Sequence, residues 1–349
     1  PLRLVGSEMC IRDSFDMMNI QKVIQYCAEN KFQTFFSTTD NFTLHGVIKN
    51  LEIKEITLDK PGPEEVQIEQ KAIGLNYIDT YHRSGLYPLP LPTKLGMEGS
   101  GTIIDKSSEV SNFEIGDRVA YVMALGSYST HRNIEASKLV KIPEQISDKQ
   151  AAAILLKGMT VEYLVERLFK INSSHTVLFH AVAGGVGLLA CQWLKHLGAK
   201  IIGTAGSKEK AILAKKNGCD EVILYREENF VEKVKYFTAD EGVDVVYDGV
   251  GKDTAILGLD CLKPLGTMVV FGNSSGNCPP IDPNVLAAKG SLFFTRPTLM
   301  NYGTKREDLL HRSDRVFEML SNNKINLNID SSYNLSDVAK AHNDLQLRK

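Results

Sequence analysis

The sequence lacks long apolar runs, a strong net charge and closely spaced cysteines. None of its uninterrupted apolar stretches approaches the ~20 residues needed to cross a bilayer, so we expect no membrane partner. The formal net charge of -2 gives no electrostatic reason to expect a nucleic-acid partner. The six cysteines form no C-x-x-C pair, which disfavours a metal cluster or a disulfide framework and favours reduced thiols. These absences favour a cytoplasmic protein.

The first part of the chain also lacks the patterns of folded or targeting segments. Pro1 to Asp16 show no helical or strand period and no apolar central region of a signal peptide. We therefore predict an atypical N-terminal extension over 1–41. Within it, Leu4–Ser14 resembles translated non-coding or library sequence more than evolved protein. At the other end, 341–349 is typical of a helix that stops in mid-course. The chain of 349 residues is long enough for two domains.

From residue 51 the sequence becomes regular. Four short segments have the composition of strands and are separated by turns that contain glycine or proline. They are Leu51–Ile56, Val66–Ala72, Gly99–Ile104 and Gly116–Val122. The first two alternate as half-buried strands do. This spacing predicts a small, partly open β-barrel over about 42–150.

Beyond Asp148 the pattern changes to alternating helices and strands. Asp148–Leu168 is predicted to be helical, and helices are also predicted at Val186–Leu197, Lys208–Asn217 and in the tail from Glu307. The predicted strands are Thr176–His180, Lys200–Thr204, Glu221–Leu224, Val243–Tyr247 and Thr267–Phe271. This order predicts an α/β fold with a doubly wound parallel sheet. We expect the tail to pack on the first domain.

The turn Val182–Gly187 has the features of a dinucleotide-binding loop. A predicted strand precedes it, an amphipathic helix follows, and a second strand ends about 20 residues later. Gly184 would let the backbone approach the pyrophosphate, and Gly187 would let helix and strand pack closely. Val182 replaces the first glycine of the usual G-x-G-x-x-G. The context nevertheless predicts a bound dinucleotide.

The end of the second predicted strand indicates which dinucleotide binds. NAD-binding proteins place an acid there, whereas this chain has Gly206 and Ser207, followed by Lys208 and Lys210. The acid in this segment, Glu209, is predicted to lie in the following helix. NADPH is therefore the predicted cofactor, because these residues would accept a 2′-phosphate that a carboxylate would repel. The alternative is that both lysines only cover an exposed helix start.

Several motifs together resemble the quinone oxidoreductases of the medium-chain dehydrogenase/reductase superfamily. They are Asn76–Tyr81, Arg83–Tyr87, Ala183–Gly187, Tyr225–Glu228, Phe271–Gly276 and Thr295–Pro297. The resemblance extends from about Leu51 to the C-terminus. It implies a GroES-like catalytic domain over 42–156 and 298–349, a Rossmann domain over 157–297, NADPH as cofactor and a homodimer.

The resemblance also implies roles for individual residues. The implied catalytic residues are Asn76, Asp79, Tyr81, Tyr87 and Arg296. Of these, Tyr81, Tyr87 and Arg296 would face the quinone. The implied cofactor-binding residues are Asn76, Tyr77, Asp79, Tyr163, Gly184, Gly185, Val186, Gly187, Gly206, Ser207, Lys210, Tyr225, Val250, Phe271, Gly272, Asn273, Ser274 and Arg348.

The sequence also bears on metal use. Zinc-bearing members of the superfamily have a histidine in a Gly-His-Glu segment and a four-cysteine lobe, whereas this chain has Gly96-Met97-Glu98. Met97 offers no imidazole ligand for zinc, so reduction without a metal is predicted. We expect Glu98 to have a structural role.

Quinone reduction fits a metal-free site, because a quinone is already electrophilic and the protein mainly has to orient two flat rings. Hydrogen bonds from Tyr81, Tyr87 or Arg296 could stabilise charge on a quinone oxygen. Two other functions stay open. One is reduction of an activated C=C bond in an alkenal or enoyl thioester, and the other is a non-enzymatic NADPH-binding role of the lens-crystallin type, structural or RNA-binding. The residue assignments also have plainer alternatives. Tyr81 and Tyr87 could simply pack a loop, and Asn76 could simply form a hydrogen bond with the local backbone.

Overall fold

The computed structural model describes residues 51–90 and 92–347 in full, and the backbone alone of Arg3–Gly6, Lys22–Gln25 and Gln33–Ser37. Most of the predicted extension over 1–41, and Arg348 among the predicted cofactor ligands, lie outside these residues. No helix in the described part of the chain is long and apolar enough to cross a membrane.

The described residues form two compact units. The first unit takes its residues from Pro1–Met159, Gly303–Asn322 and Leu327–Lys349. The second unit consists of Thr160–Tyr302 and Asn323–Asn326.

The strands begin and end as follows in chain order. In the first unit they are β1 (Arg3–Gly6), β2 (Lys22–Gln25), β3 (Gln33–Ser37), β4 (Leu51–Glu55), β5 (Glu65–Leu75), β6 (Thr93–Lys94), β7 (Glu98–Lys106), β8 (Arg118–Val122), β9 (His131–Glu135) and β10 (Leu139–Lys141). In the second unit they are β11 (Thr176–Phe179), β12 (Lys200–Ala205), β13 (Glu221–Leu224), β14 (Val243–Asp248), β15 (Leu262–Val270) and β16 (Phe293–Thr295). The first unit then adds β17 (Ser331–Asn334).

The α-helices are α1 (Tyr77–Ser84), α2 (Asp148–Glu162), α3 (Gly185–His196), α4 (Lys208–Lys216), α5 (Phe230–Phe237), α6 (Ala255–Gly258), α7 (Pro283–Ala288), α8 (Arg306–Ser321) and α9 (Val338–Gln346). Helix α2 continues as a π-helix at Tyr163–Leu168. Short 3₁₀ turns occupy Ala136–Lys138, Leu259–Cys261, Leu299–Tyr302 and Leu335–Asp337.

The first unit is built on β5. Its eight-stranded sheet has the order β1-β17-β2-β5-β7-β8-β10, and β9 also pairs with β5. Every second residue from Val66 to Ala72 is buried, including the polar Gln70, and the residues between them are partly exposed. This confirms the predicted alternation. Val66 and Ile68 pack in one apolar cluster with Phe113.

The prediction for Leu51–Ile56 is right about the strand and wrong about its burial. Leu51 is partly buried, but the four residues that follow it in β4 are exposed. The reason is that β4 lies in a separate three-stranded sheet of order β4-β3-β6. An alternating sequence alone does not reveal whether a strand joins the large sheet.

The second unit has a six-stranded parallel sheet of order β13-β12-β11-β14-β15-β16. This is the predicted doubly wound sheet, and β11 lies beside both β12 and β14 as the order reverses. The strand predicted at Thr267–Phe271 begins earlier, at Leu262, and reaches Val270 through an irregular stretch with Leu265 at a φ of +63°. The parallel sheet places the carboxyl ends of its strands, and the loops that follow them, along one edge.

Candidate functional site: a dinucleotide loop and a buried polar cluster

The glycine-rich turn places the start of α3 directly after β11. Gly184 is the N-cap residue of α3 and has an extended backbone, with no side chain to accept from the first helical N–H groups. The N-terminus of a helix attracts anions because these N–H groups and the helix dipole both point outward. The N-terminus of α3 therefore lies at the turn as predicted, and phosphate binding there stays a prediction.

Gly187 is required by a close contact between helix and turn. A Cβ at this position would lie 2.6 Å from the carbonyl oxygens of both Ala181 and Val182. No side chain fits there, since neither carbonyl belongs to a flexible group. Val182 stands where the usual motif has a glycine, and its side chain has room because the neighbouring strand has a glycine at 203. A Cβ on Gly203 would lie 2.6 Å from the side chain of Val182.

The residues predicted to surround the adenosine phosphate lie at and after the end of β12. A Cβ on Gly206 would lie 3.0 Å from the hydroxyl of Tyr225 and 3.5 Å from Nε of Arg226. Ser207 caps α4 by accepting from the backbone N–H of Lys210 at 3.4 Å. The side chain of Lys210 is buried, so the alternative of a lysine that only covers an exposed helix start does not describe it. Lys208 is exposed, as that alternative expects.

Arg226 was not predicted from the sequence. It follows Tyr225 in the motif Tyr225–Glu228, and the signal that would have found it is a second cation beside the predicted 2′-phosphate site. Glu209 lies in the first turn of α4, as predicted.

The loops after β14 and β15 are tied together by backbone hydrogen bonds. Phe271 N–H donates to the carbonyl of Asp248 at 2.8 Å, and Ser274 N–H donates to Gly249 at 3.2 Å. Gly272 is in close contact with Gly249, where a Cβ would lie 2.5 Å from a carbonyl oxygen. The structure thus brings four predicted cofactor residues near Gly249 at one sheet edge: Phe271, Gly272, Asn273 and Ser274.

The buried carboxylate of Asp248 organises the same edge and was also missed from the sequence. Its Oδ1 accepts from the N–H groups of Val250 at 2.7 Å and Gly251 at 3.1 Å. Its Oδ2 accepts from the Thr254 hydroxyl at 2.7 Å. Val250, a predicted cofactor residue, is therefore held by Asp248.

Two other predicted residues of the second unit have different surroundings. Tyr163 is buried in the π-helix and stacks on Tyr302, with ring centroids 4.5 Å apart. Arg296 is exposed and donates from NH1 to the Pro297 carbonyl at 2.8 Å.

In the first unit, three tyrosines form an aromatic cluster at α1. Tyr81 makes edge contacts with Tyr77 at 5.3 Å and with Tyr87 at 5.0 Å between ring centroids. All three rings are partly exposed. Their hydroxyl groups are suitable donors for a carbonyl oxygen.

Beside the cluster lies a buried group of Asn76, Glu98 and Lys157. The Asn76 amide donates to Oε2 of Glu98 at 2.8 Å, and the Lys157 ammonium lies 3.7 Å from the same oxygen. Oε1 of Glu98 accepts from the N–H of Leu156 at 2.8 Å. Burial raises the pKa of Glu98, and the charge of Lys157 and these hydrogen bonds oppose that rise. The side-chain amide of Asn76 therefore forms a hydrogen bond with Glu98 and does not interact with the local backbone alone.

Among residues 51–90 and 92–347, no group of three or more His, Cys, Asp and Glu side chains could hold a metal ion. Met97, at the position of the histidine in zinc-bearing members, is buried.

Comparison with known proteins places the chain in a family. Residues 62–144 match the alcohol dehydrogenase GroES-like domain, and residues 185–307 match the zinc-binding dehydrogenase family. The chain is 45% identical over 310 residues to the quinone oxidoreductase of Pseudomonas aeruginosa, covering 88% of this chain and 95% of that protein. This chain belongs to the quinone oxidoreductase family of the medium-chain dehydrogenase/reductase superfamily.

Other relatives in the family agree with this. Quinone oxidoreductase 1 of Escherichia coli is 47% identical over 316 residues, with 89% of this chain and 97% of that protein covered. The crystal structure of Escherichia coli quinone oxidoreductase complexed with NADPH has a TM-score of 0.86 at 45% identity, covering 90% of this chain and 97% of that chain. A 2-haloacrylate reductase from Burkholderia sp. is 38% identical over 302 residues, with 84% of this chain and 90% of that protein covered. The predicted GroES-like and Rossmann folds are both confirmed.

The buried ion pair gives a testable prediction for this quinone oxidoreductase family member. Lys157→Met should lower the free energy of unfolding by about 3–5 kcal/mol, because it leaves the Glu98 carboxylate buried without its cation. Denaturant unfolding measures the change. The double variant Glu98→Gln with Lys157→Met should recover much of the loss, and Lys138→Met, which breaks an exposed pair with Glu135, should cost less than about 1 kcal/mol. A Lys157→Met variant as stable as wild type would contradict the prediction.

Proposed function

We propose that the protein is an NADPH-dependent quinone oxidoreductase that transfers hydride from NADPH to a quinone without a metal ion. The observation that carries this proposal is the cofactor loop itself, in which the N-terminus of α3 offers N–H donors and Gly187 leaves no room for a side chain. Relatives named quinone oxidoreductases support the choice of acceptor.

The residues of the second unit fit NADPH. The first turn of α3, at Gly185 and Val186, would bind the pyrophosphate. Gly206, Tyr225 and Lys210 would surround the 2′-phosphate, and the end of β12 carries no acid to repel it. We add Arg226 to this group because its Nε lies beside Gly206. The bound cofactor would supply the hydride.

The remaining assignments concern the nicotinamide and the quinone. We propose that Asn76, Tyr77 and Asp79, with the loop residues Val250 and Phe271–Ser274, bind near the nicotinamide. Tyr163 would contribute to cofactor binding, and Tyr81, Tyr87 and Arg296 would bind the quinone. A tyrosine hydroxyl donating to a quinone oxygen would stabilise the negative charge that develops there. We also propose that 42–156 and 298–349 form the catalytic domain and that 157–297 form the Rossmann domain.

A second candidate function is reduction of an activated C=C bond. It is favoured by the 38% identity to the 2-haloacrylate reductase, which acts on an electron-poor alkene by its name. The same hydride donor would serve both reactions, and the acceptor site would decide between them. A non-enzymatic NADPH-binding role is the third outcome that an assay can reveal.

The assay follows the loss of NADPH absorbance with para-benzoquinone, phenanthrenequinone, 2-hexenal and 2-chloroacrylate as separate acceptors. We expect turnover that depends on the quinone and exceeds the rates with both alkenes. Faster turnover with an alkene would move the assignment to C=C reduction. Tight NADPH binding without turnover of any acceptor would overturn both enzymatic functions.

Cofactor preference tests the assignment at the end of β12. Lys210→Ala should lower kcat/KM for NADPH by about 10- to 100-fold, because a hydrogen bond to a charged group is lost, and should leave NADH nearly unaffected. Lys216→Ala, an exposed lysine at the end of the same helix, is the matched control and should leave both values unchanged. Equal losses with NADPH and NADH would contradict the assignment.

We also propose that the protein is a cytoplasmic homodimer. The wide spacing of the six cysteines, with no C-x-x-C pair, supports reduced thiols and a reducing compartment. Strand β16 lies at the edge of the parallel sheet, and its Phe293 is 61% exposed. An exposed edge strand with a large apolar side chain favours pairing with another chain, here a second copy.

Light scattering after size-exclusion chromatography tests the dimer. Wild type should have twice the mass of the chain, and Phe293→Glu should raise the dissociation constant more than about tenfold by placing a charge in the interface. Tyr236→Glu, at an aromatic residue on α5 that is 77% exposed, should leave the mass unchanged. A wild-type monomer would contradict the proposal.

A further inference from the structure

A chain of buried hydrogen bonds in the first unit ends on the carboxyl group of Asp79. NH1 of Arg83 lies 3.0 Å from Nδ1 of His342, whose Nε2 lies 2.9 Å from the hydroxyl of Tyr128. The Tyr128 hydroxyl donates to Oδ2 of Asp79 at 2.9 Å. The four side chains are at most 3% exposed. They come from α1, α9 and the segment between β8 and β9, so tertiary structure alone brings them together.

The direction of every bond in this chain is fixed by its first member. An arginine side chain only donates, so Nδ1 of His342 must accept and therefore carries no proton. A neutral imidazole then carries its proton on Nε2 and donates to the oxygen of Tyr128. Burial lowers the pKa of His342 well below its usual value, which agrees with a neutral ring. The Tyr128 hydroxyl is left to donate to Asp79, and burial beside this carboxyl group raises its own pKa.

The two oxygens of Asp79 consequently differ. Oδ2 accepts from Tyr128 and, at 2.8 Å, from the backbone N–H of Asn76. Oδ1 is buried and has no hydrogen-bond partner among the described residues. A proton on this carboxyl group therefore belongs on Oδ1, since Oδ2 is already occupied by two donors.

The charges around Asp79 leave it able to hold that proton near neutral pH. Burial raises its pKa to about 7, against the lowering effects of the two donors to Oδ2. Glu98 on β7 raises the pKa further, and Lys157 on α2 lowers it. With Tyr128, His342 and Arg83, these are the titratable groups that face Asp79 from the elements packed around it. An ordinary aspartic acid, in contrast, is ionised at this pH.

Reduction of a quinone needs one proton from the protein or solvent. Hydride transfer brings two electrons and one proton, so a quinone becomes a hydroquinone monoanion, which one further proton converts to the hydroquinone. An efficient donor has a pKa near the working pH and lies within hydrogen-bond reach of the acceptor or one water molecule away.

We propose that Oδ1 of Asp79 donates this proton, and that Tyr128, His342 and Arg83 are positioning residues that hold Oδ2 and leave Oδ1 to react. The proposal rests on the function proposed above. The O–H bond at Oδ1 breaks, an O–H bond forms on the quinone oxygen, and Asp79 is left as a carboxylate. Its negative charge is stabilised by the hydroxyl of Tyr128 and the N–H of Asn76. A proton from water restores the acid between turnovers.

The plainer reading is that Asp79 only caps α1. Asp79 is the third residue of α1 and stabilises the helix start by accepting from the N–H of the N-cap residue Asn76. Asp282 has a related role at α7, where it is the N-cap residue and accepts from the N–H of Asn284 at 2.8 Å. Asp282, however, is exposed and needs no buried chain of donors. The two roles differ in what they predict for the dependence of activity on pH.

The main experiment is the pH profile of kcat with para-benzoquinone. The wild-type rate should fall as the pH rises through about 7, because the donor must be protonated. Asp79→Asn should lower kcat by about 100-fold and remove this fall, since an amide keeps the shape but has no acidic proton. Asp282→Asn, the other helix-capping aspartate, should keep the wild-type rate and profile.

A second variant tests the positioning residues. Tyr128→Phe removes a donor that stabilises the ionised form, so the pKa of Asp79 should rise and the fall in rate should move about one pH unit upward. Tyr121→Phe is the matched control. It is an equally buried tyrosine of the same unit, its hydroxyl donates to the neutral amide of Gln70, and its removal should leave the profile in place.

An infrared titration without cofactor or substrate observes the proton directly. The difference between wild type and Asp79→Asn should show the carbonyl band of a protonated carboxylic acid, which disappears as the pH rises through about 7. If wild type reduces quinones and Asp79→Asn keeps the same rate and pH profile, the proton-donor role of Asp79 is overturned but the proposed function is not. Absence of the band at acidic pH would overturn it too. Wild type that reduces no quinone would overturn the proposed function, and the proton donor with it.

Discussion

One close backbone contact sets the geometry of the cofactor loop. The first turn of α3 approaches the preceding turn so closely that position 187 has no space for a Cβ atom. This contact holds the helix N-terminus next to the carboxyl end of β11, where its N–H groups are exposed to a ligand. Because all six strands of the sheet are parallel, the loops after β12, β14 and β15 end at the same edge. In the proposed function, a dinucleotide bound at the start of α3 would therefore lie at the same edge as these loops.

The same constraint explains how the loop tolerates an unusual residue. Val182 stands where the fingerprint of dinucleotide-binding loops has a glycine, yet its backbone keeps the bond from its N–H to the Thr204 carbonyl at 3.1 Å. Its side chain is accommodated because β12 has Gly203 opposite it. A larger residue at position 203 would clash with the side chain of Val182, so the valine at 182 requires a glycine at 203. The loop has the geometry of the fingerprint although Val182 departs from its sequence.

Local patterns in the sequence predicted the elements well and the distant contacts poorly. The alternation of β5, the helices α3 and α4, and the acid-free end of β12 are properties of neighbouring residues, and all were predicted. The prediction that β4 is half-buried was wrong, because an alternating sequence does not indicate which sheet a strand joins. Arg226 and Asp248 were missed, since their importance depends on contacts across a turn or between loops. The bond between Arg83 and His342 connects residues that lie 259 positions apart in the sequence, so it leaves no local signal.

The buried polar groups of the first unit are difficult to explain by stability. Burying an ion pair such as Glu98 with Lys157 costs about as much as it returns, and apolar residues of similar size would often serve better. Asp79 costs more, because its Oδ1 lacks a partner, and an unsatisfied buried acceptor costs about 1–3 kcal/mol. Accepting a backbone N–H at the start of α1 does not require this arrangement, since the exposed N-cap residue Asp282 accepts a backbone N–H at the start of α7 without a buried chain of donors. The chain from Arg83 to Tyr128 fixes one oxygen of Asp79 and leaves the other chemically available. Proton donation from Oδ1, as proposed above, would account for this asymmetry between the two oxygens.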